Sequence, residues 1–142
     1  MNKKGYVLIL IIFLVVAGYK FIYQEKNAAR ELQPADHAEA ALNAALDNEK
    51  PTFIEFTSDN CPACRKAKPW IEEMYQDYGD KVNFILVDVD KNGQTLARQM
   101  GVTAVPSFIY FDKEAEIIDA FAGYPVTDSK EYLEDKIKAM VE

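Results

Sequence analysis

Three kinds of apolar spacing follow one another along the chain. Residues 6–23, YVLILIIFLVVAGYKFIY, are apolar almost without a break, and Lys20 is their one charge. Residues 24–35, QEKNAARELQPA, are polar and read as a linker. From residue 36 the chain alternates between helical and strand periods. Ala41, Leu42, Ala45 and Leu46 share one helical face, which predicts a helix to about Asp47, with Asp36 as N-cap and Glu39 completing a capping box. PTFIEFTS (51–58) reads as a short strand. Ala67, Trp70, Ile71, Met74, Tyr75 and Tyr78 recur at spacings of three and four, predicting a helix from Cys61 that Pro69 kinks. KVNFILVDVD (81–90) is apolar nearly throughout, as in a strand covered on both faces. Leu96, Ala97 and Met100 mark a short helix with Gly101 at its C-terminal cap. VPSFIYF (105–111) and AEIIDAFAG (115–123) are strands joined by a tight turn, and a last helix from about Asp128 turns Leu133, Ile137, Met140 and Val141 inward. The predicted order α-β-α-β-α-β-β-α belongs to one α/β domain without internal repeats.

The N-terminal run has a different logic. Eighteen helical residues span about 27 Å, enough for a bilayer core. Tyr6 and Tyr23 suit the interfaces, Lys20 can snorkel, and Lys3 and Lys4 favour the inner side. Residues 1–23 therefore read as a membrane anchor. The alternative is a signal peptide cleaved near Val15-Val16-Ala17. Both readings put the domain, residues 36–142, on the extracytoplasmic side, either anchored or secreted, where thiols meet oxidants.

Charge narrows the partners. The net charge is −7, and residues 1–20 hold three lysines and no acid, so residues 21–142 carry 13 bases against 23 acids, or −10. A domain this acidic is ill suited to nucleic acid or anionic lipid. Its two cysteines, Cys61 and Cys64, stand in FTSDNCPACRKAKP. A structural zinc site needs four Cys or His ligands, and the chain adds only His37, which reads as a surface residue. A copper carrier would pair its cysteines with a preceding Met and a different element order. A structural staple gains from closing a long loop, and this pair closes a very short one. A redox couple fits: the pair follows a strand and opens a helix. Cys61 then meets the positive end of the helix dipole, and Pro62 fits the first turn. The expected roles are Cys61 as nucleophile and Cys64 as the buried, resolving thiol.

Over residues 37–142 these features resemble the thioredoxin family. Four marks carry the resemblance: Cys61-Pro62-Ala63-Cys64 between strand and helix, Pro69 five residues on, Val105-Pro106-Ser107 opening a strand, and Gly123 ending the last strand. The interval from Cys61 to Pro106 is short, as in thioredoxin itself. The resemblance implies a single thioredoxin-like domain with a central mixed sheet of four to five strands flanked by helices. It implies a cis Val105–Pro106 bond facing the cysteines. It also implies Glu55 as a buried proton acceptor for Cys64, and Val105, Asn60 and Pro62 as the substrate-binding surface. No metal and no cofactor beyond the cysteine pair is implied. Asn60 replaces the usual Trp, Thr57 an aromatic, Leu86 a Lys, and Pro-Ala the usual Gly-Pro, so the recognition surface is more polar. Membrane-anchored thioredoxin-like reductases are the most similar subgroup. They imply disulfide reduction in exported proteins with electrons from a membrane partner. Net oxidation of exported thiols, or a non-catalytic binding module on the same fold, are the alternatives.

Overall fold

The computed structural model describes residues 10–19, 31–123 and 129–142, with the backbone alone at Ser129. Residues 1–30 and 31–142 form two separate units. In the first, residues 10–19 are helical (α1), and the side chains of Leu10, Ile11, Ile12, Phe13, Leu14, Val15 and Val16 are all more than half or half exposed. Among the described residues no helix is long and apolar enough to cross a membrane. The rest of the expected anchor, residues 1–9 and 20–23, lies outside the described residues.

The second unit follows the predicted element order: α2 (Ala38–Leu46), β1 (Thr52–Thr57), α3 (Pro62–Tyr78), β2 (Asn83–Asp88), α4 (Gln94–Gln99), β3 (Ser107–Phe111), β4 (Ile117–Ala122) and α5 (Ser129–Val141). The sheet has four strands in the order β2-β1-β3-β4. β1 is parallel to β2 and antiparallel to β3, and β3 is antiparallel to β4. The sheet is therefore mixed, as expected, with the strand that leads to the cysteines in its interior.

Successive strand residues point to opposite faces, so β1, β2 and β3 each feed two cores. On one side Ile54, Phe56, Ile85, Val87, Ile109 and Phe111 pack against Leu42 and Ala45 of α2 and Leu96 and Ala97 of α4. On the other, Phe53, Leu86, Phe108 and Tyr110 pack against Ala67, Ile71 and Met74 of α3 and Leu133 and Ile137 of α5. Pro69 sits inside α3. Trp70, Met140 and Val141 flank this second core half-buried.

Two local expectations differ from the structure. The N-cap of α2 is His37, not Asp36, and no side chain caps it. The approach to the helix is set by tertiary ties instead: the Ala35 N–H donates to the Leu86 carbonyl at 2.9 Å, and Asn92 Nδ2 donates to the Asp36 carbonyl at 3.0 Å. These ties hold the backbone where a capping box would have to form. The expected linker also gives up its end to the packed body. Leu32 is buried in the α3/α5 core, and Pro34 forms an isolated parallel bridge with Leu86.

Gly101 ends α4 as expected. Its φ of +70° suits a residue without Cβ. The Gly101 N–H reaches the Arg98 carbonyl and the Val102 N–H the Ala97 carbonyl, the paired bonds of a Schellman cap.

Candidate functional site

β1 runs into a turn that delivers Cys61 to the start of α3. The Cys61 N–H donates to the Ser58 carbonyl at 3.1 Å, and Cys61 is the N-cap residue of α3. Its Sγ accepts the Cys64 N–H at 3.1 Å, and its carbonyl accepts the Arg65 N–H at 3.1 Å. Pro62 has no N–H to leave unpaired in this first turn. Cys61 and Cys64 are joined as a disulfide. The two sulfurs differ in access: Cys61 is half-buried, whereas Cys64 is 2% exposed. Pro62 is exposed beside them.

Pro106 and Val105 face the couple from the start of β3. The Val105–Pro106 bond is cis, Pro106 is buried, and Val105 is half-buried. The Val105 carbonyl oxygen lies 3.5 Å from Cys61 Sγ. Gly123, with φ +76°, donates its N–H to the Pro106 carbonyl at 2.7 Å and ties the end of β4 to this corner.

Glu55 lies inside. It is 2% exposed on β1, on the α3/α5 face, and its Oε1 has no hydrogen-bond partner among the described residues. Burial pushes its carboxyl up to about 8, and a hydrogen bond from Thr57 pulls weakly the other way. Glu55 and Cys64 line one cavity of about 70 Å³, together with Thr57, Asp59, Lys68 and Leu86 among others.

One part of the site lies outside the motif that marks the cysteine couple. The Ser58 hydroxyl donates to Asp90 Oδ2 at 2.5 Å and accepts the Asn60 N–H at 3.1 Å, while Asn60 Nδ2 reaches the same Asp90 oxygen at 3.3 Å. Asp90 is fixed in turn by its N–H to Asp88 Oδ1 at 2.9 Å. Lys91 bridges Asp88 at 2.7 Å and Asp59 at 3.0 Å, and these hydrogen bonds, the one to Asp88 foremost, raise its pKa. Together they buckle the turn before Cys61 to the loop after β2. Asn60, expected to face substrate, is exposed but has its side-chain amide engaged here. The run VDVDKN was the available hint: polar residues at the end of a parallel strand, beside the turn that holds Cys61.

His37, Trp70, Tyr124 and Tyr132, which read as surface or packing residues in the sequence, are no part of the couple. His37 is exposed at the start of α2, and among the described residues no group of three or more Cys, His, Asp or Glu is placed to hold a metal. Trp70 is half-buried against the α3/α5 core, and Tyr132 packs edge-on against Phe121. Tyr124 lies outside the described residues.

Known proteins share this arrangement. The thioredoxin family pattern matches residues 33–139. The chloroplastic thioredoxin-like protein HCF164 of Arabidopsis thaliana is 39% identical over 71 residues, which are 49% of this chain and 27% of that protein. The thiol:disulfide interchange protein TxlA homolog of Synechocystis sp. is 30% identical over 120 residues, 84% of this chain and 65% of that protein. The chain thus spans about a quarter of the first relative's length and just under two thirds of the second's. The crystal structure of Malassezia sympodialis thioredoxin superposes with a TM-score of 0.66 at 26% identity, over 79% of this chain and 92% of that one. With the match covering three quarters of its length, the chain belongs to the thioredoxin family.

Proposed function

We propose that the protein is a thiol–disulfide oxidoreductase that reduces disulfides of exported proteins through Cys61 and Cys64. One observation carries the reading above the rest: the unequal access of two linked sulfurs at a helix N-terminus, one half-buried and one sealed. In the dithiol form Cys61 is the nucleophile. The helix dipole and the Cys64 N–H favour its thiolate. That thiolate attacks one sulfur of a substrate disulfide. A mixed disulfide forms through Cys61, and the other substrate sulfur leaves as a thiolate and takes a proton from solvent. Glu55 then accepts the Cys64 proton. The Cys64 thiolate attacks Cys61 Sγ, the second substrate sulfur leaves as a thiolate that takes a proton from solvent, Glu55 returns its proton to solvent, and two electrons have passed to the substrate. Buried Cys64 needs an acceptor close by, and the carboxyl that shares its cavity is poised near neutral pH.

Val105 offers its backbone beside Cys61 for pairing with an extended substrate segment, and Pro62 and Asn60 border the same opening. No cofactor beyond the cysteine pair enters the cycle. A membrane protein of the electron-donating kind returns the couple to its dithiol form. The exposed apolar side chains of α1 support an anchor, and Lys3 and Lys4 favour the inner side for its start, which leaves the domain on the extracytoplasmic face. The Synechocystis relative is a thiol:disulfide interchange protein by name, which favours exchange chemistry over a silent binding module.

The test is turnover of insulin disulfides with dithiothreitol as donor, alongside the reduction potential of the couple against glutathione. Reduction with a potential nearer thioredoxin's roughly −270 mV than the roughly −120 mV of a strong oxidant is the expected result. A potential at the oxidising end would reverse the direction of electron flow, and no turnover would leave only a binding module.

A further inference from the structure

The cavity shared by Glu55 and Cys64 is not closed by the sheet and α3 alone. Leu32 and Pro34 form part of its wall. They belong to the segment before α2, and three contacts hold that segment along the outer edge of β2. Leu32 is 7% exposed and packs in the core that contains Leu86. Pro34 bridges Leu86 in parallel. The Ala35 N–H donates to the Leu86 carbonyl at 2.9 Å. Leu86 is itself a wall residue, so the strap and the wall are one structure.

We propose that Leu32 and Pro34 are positioning residues for Glu55: they close the cavity on the side that the sheet edge leaves open and keep water from the carboxyl. The proposal rests on the reading of Glu55 as the proton acceptor for Cys64. The charge inventory of the cavity supports it. Asp59 contributes from the turn after β1, and Arg65 and Lys68 from α3, while Cys64 is the thiol served. Tyr110 on β3 faces the same core; burial above all, then the nearby charges of Asp119, Tyr132 and Glu55, raises its hydroxyl pKa. Everything that β2 and the strap contribute, Leu86, Leu32 and Pro34, is apolar. The strap therefore acts on Glu55 only by excluding water, not by a charge of its own. A cavity of about 70 Å³ has room for a water molecule or two, so a small loss of wall admits more. More water stabilises the carboxylate and lowers the pH at which Glu55 titrates.

The experiment uses the full-length chain in detergent with Leu32→Ala and Pro34→Gly, and Leu32→Met as the conservative control. Glu55 is titrated directly by carboxyl carbon NMR in the oxidised protein, and resolution of a Cys61 mixed disulfide is followed by stopped flow across pH. Opening the wall lowers the Glu55 midpoint by one pH unit or more in both variants. The midpoint of the resolving step moves with it, Cys61 attack is unaltered, and Leu32→Met restores the native midpoint. A merely structural Leu32 would alter the unfolding transition and leave both midpoints in place, which overturns the proposal. Pro34→Gly removes the ring, restores a backbone N–H and frees φ, and it keeps the test open if Leu32→Ala does not fold. A Glu55 midpoint that moves while the resolving step does not follow it upholds the seal and removes Glu55 as acceptor.

Discussion

The two faces of the sheet are cut from the same three strands, β1, β2 and β3, and carry different burdens. Toward α2 and α4 the buried apolar set is Ile54, Phe56, Ile85, Val87, Ile109 and Phe111 with their helical partners, and the polar residues buried on this side, Thr52 and Ser107, both have hydrogen-bond partners. Toward α3 and α5 the same strands bury Phe53, Leu86 and Phe108, but also Glu55 and the hydroxyl of Tyr110. Glu55 Oε1 and Tyr110 Oη are the buried side-chain oxygens without a hydrogen-bond partner among the described residues. The first face holds the fold. The second gives up part of that stabilisation to keep a carboxyl dry beside Cys64, because an unpaired buried polar group is costly. A period of two lets one strand do both, since Ile54 and Glu55 are neighbours in sequence and lie on opposite sides.

Replacing the resolving thiol breaks the chemistry without touching either core face. Cys64→Ser should abolish turnover and leave substrate trapped on Cys61 as a mixed disulfide, seen as a band of added mass on non-reducing gels. Cys61→Ser should trap nothing. If Cys64 is instead the thiol that iodoacetamide modifies first in the reduced protein, the two roles are reversed.

Glu55→Gln removes the acid and keeps the shape, so it separates the two burdens. The resolving step should slow by about 10-fold or more, with the first attack unaffected, on the scale of general-base loss. Stability should respond in the opposite sense. Glu55 titrates near 4.5 in the unfolded chain and near 8 when folded, so the native state binds the extra proton between those values. Its contribution is fully present below about pH 4.5 and is lost as pH rises through about 8. The oxidised wild type should therefore lose roughly 5 kcal/mol across that window from this group, and Glu55→Gln should not. Urea unfolding of the two proteins at pH 5 and pH 9 measures it. Parallel pH dependence would mean that the carboxyl is wet.

The strands and the couple were legible in the sequence because each rests on local spacing. TFIEFT, NFILVD and SFIYF declare themselves by apolar content, and Cys61-Pro62-Ala63-Cys64 follows one strand and opens a helix. Burial of Glu55 was legible too, since Phe53, Ile54 and Phe56 surround it in sequence. What escaped was set by partners far along the chain. Leu32 stands alone in QEKNAARELQPA with no period to mark it, and it is buried only because β2 has an edge to receive it. Asp36 had the right neighbours for a capping box, but the ties of Ala35 to Leu86 and of Asp36 to Asn92 fix its backbone first. Ser58 and Asp90 are 32 residues apart, and nothing local pairs them.

The smallest effects compare the two faces most directly. Ile54→Val, on the apolar face, removes one methylene from a fully buried side chain and should destabilise the protein by about 1 kcal/mol. Tyr110→Phe, on the other face, removes a hydroxyl that is fully buried and unpartnered. The ring stays in place, so its tilted contact with Phe53 and its stacked contact with Phe121 are kept. What is lost is the desolvation penalty of an oxygen with no bond to offset it, and stability should rise by about 1 kcal/mol. The two substitutions are thus close in size and opposite in sign. Urea unfolding at pH 5, where Glu55 is protonated, keeps the carboxyl out of the comparison. A destabilising Tyr110→Phe would mean that the hydroxyl is bonded in solution through water, and that the α3/α5 face is as well satisfied as its counterpart.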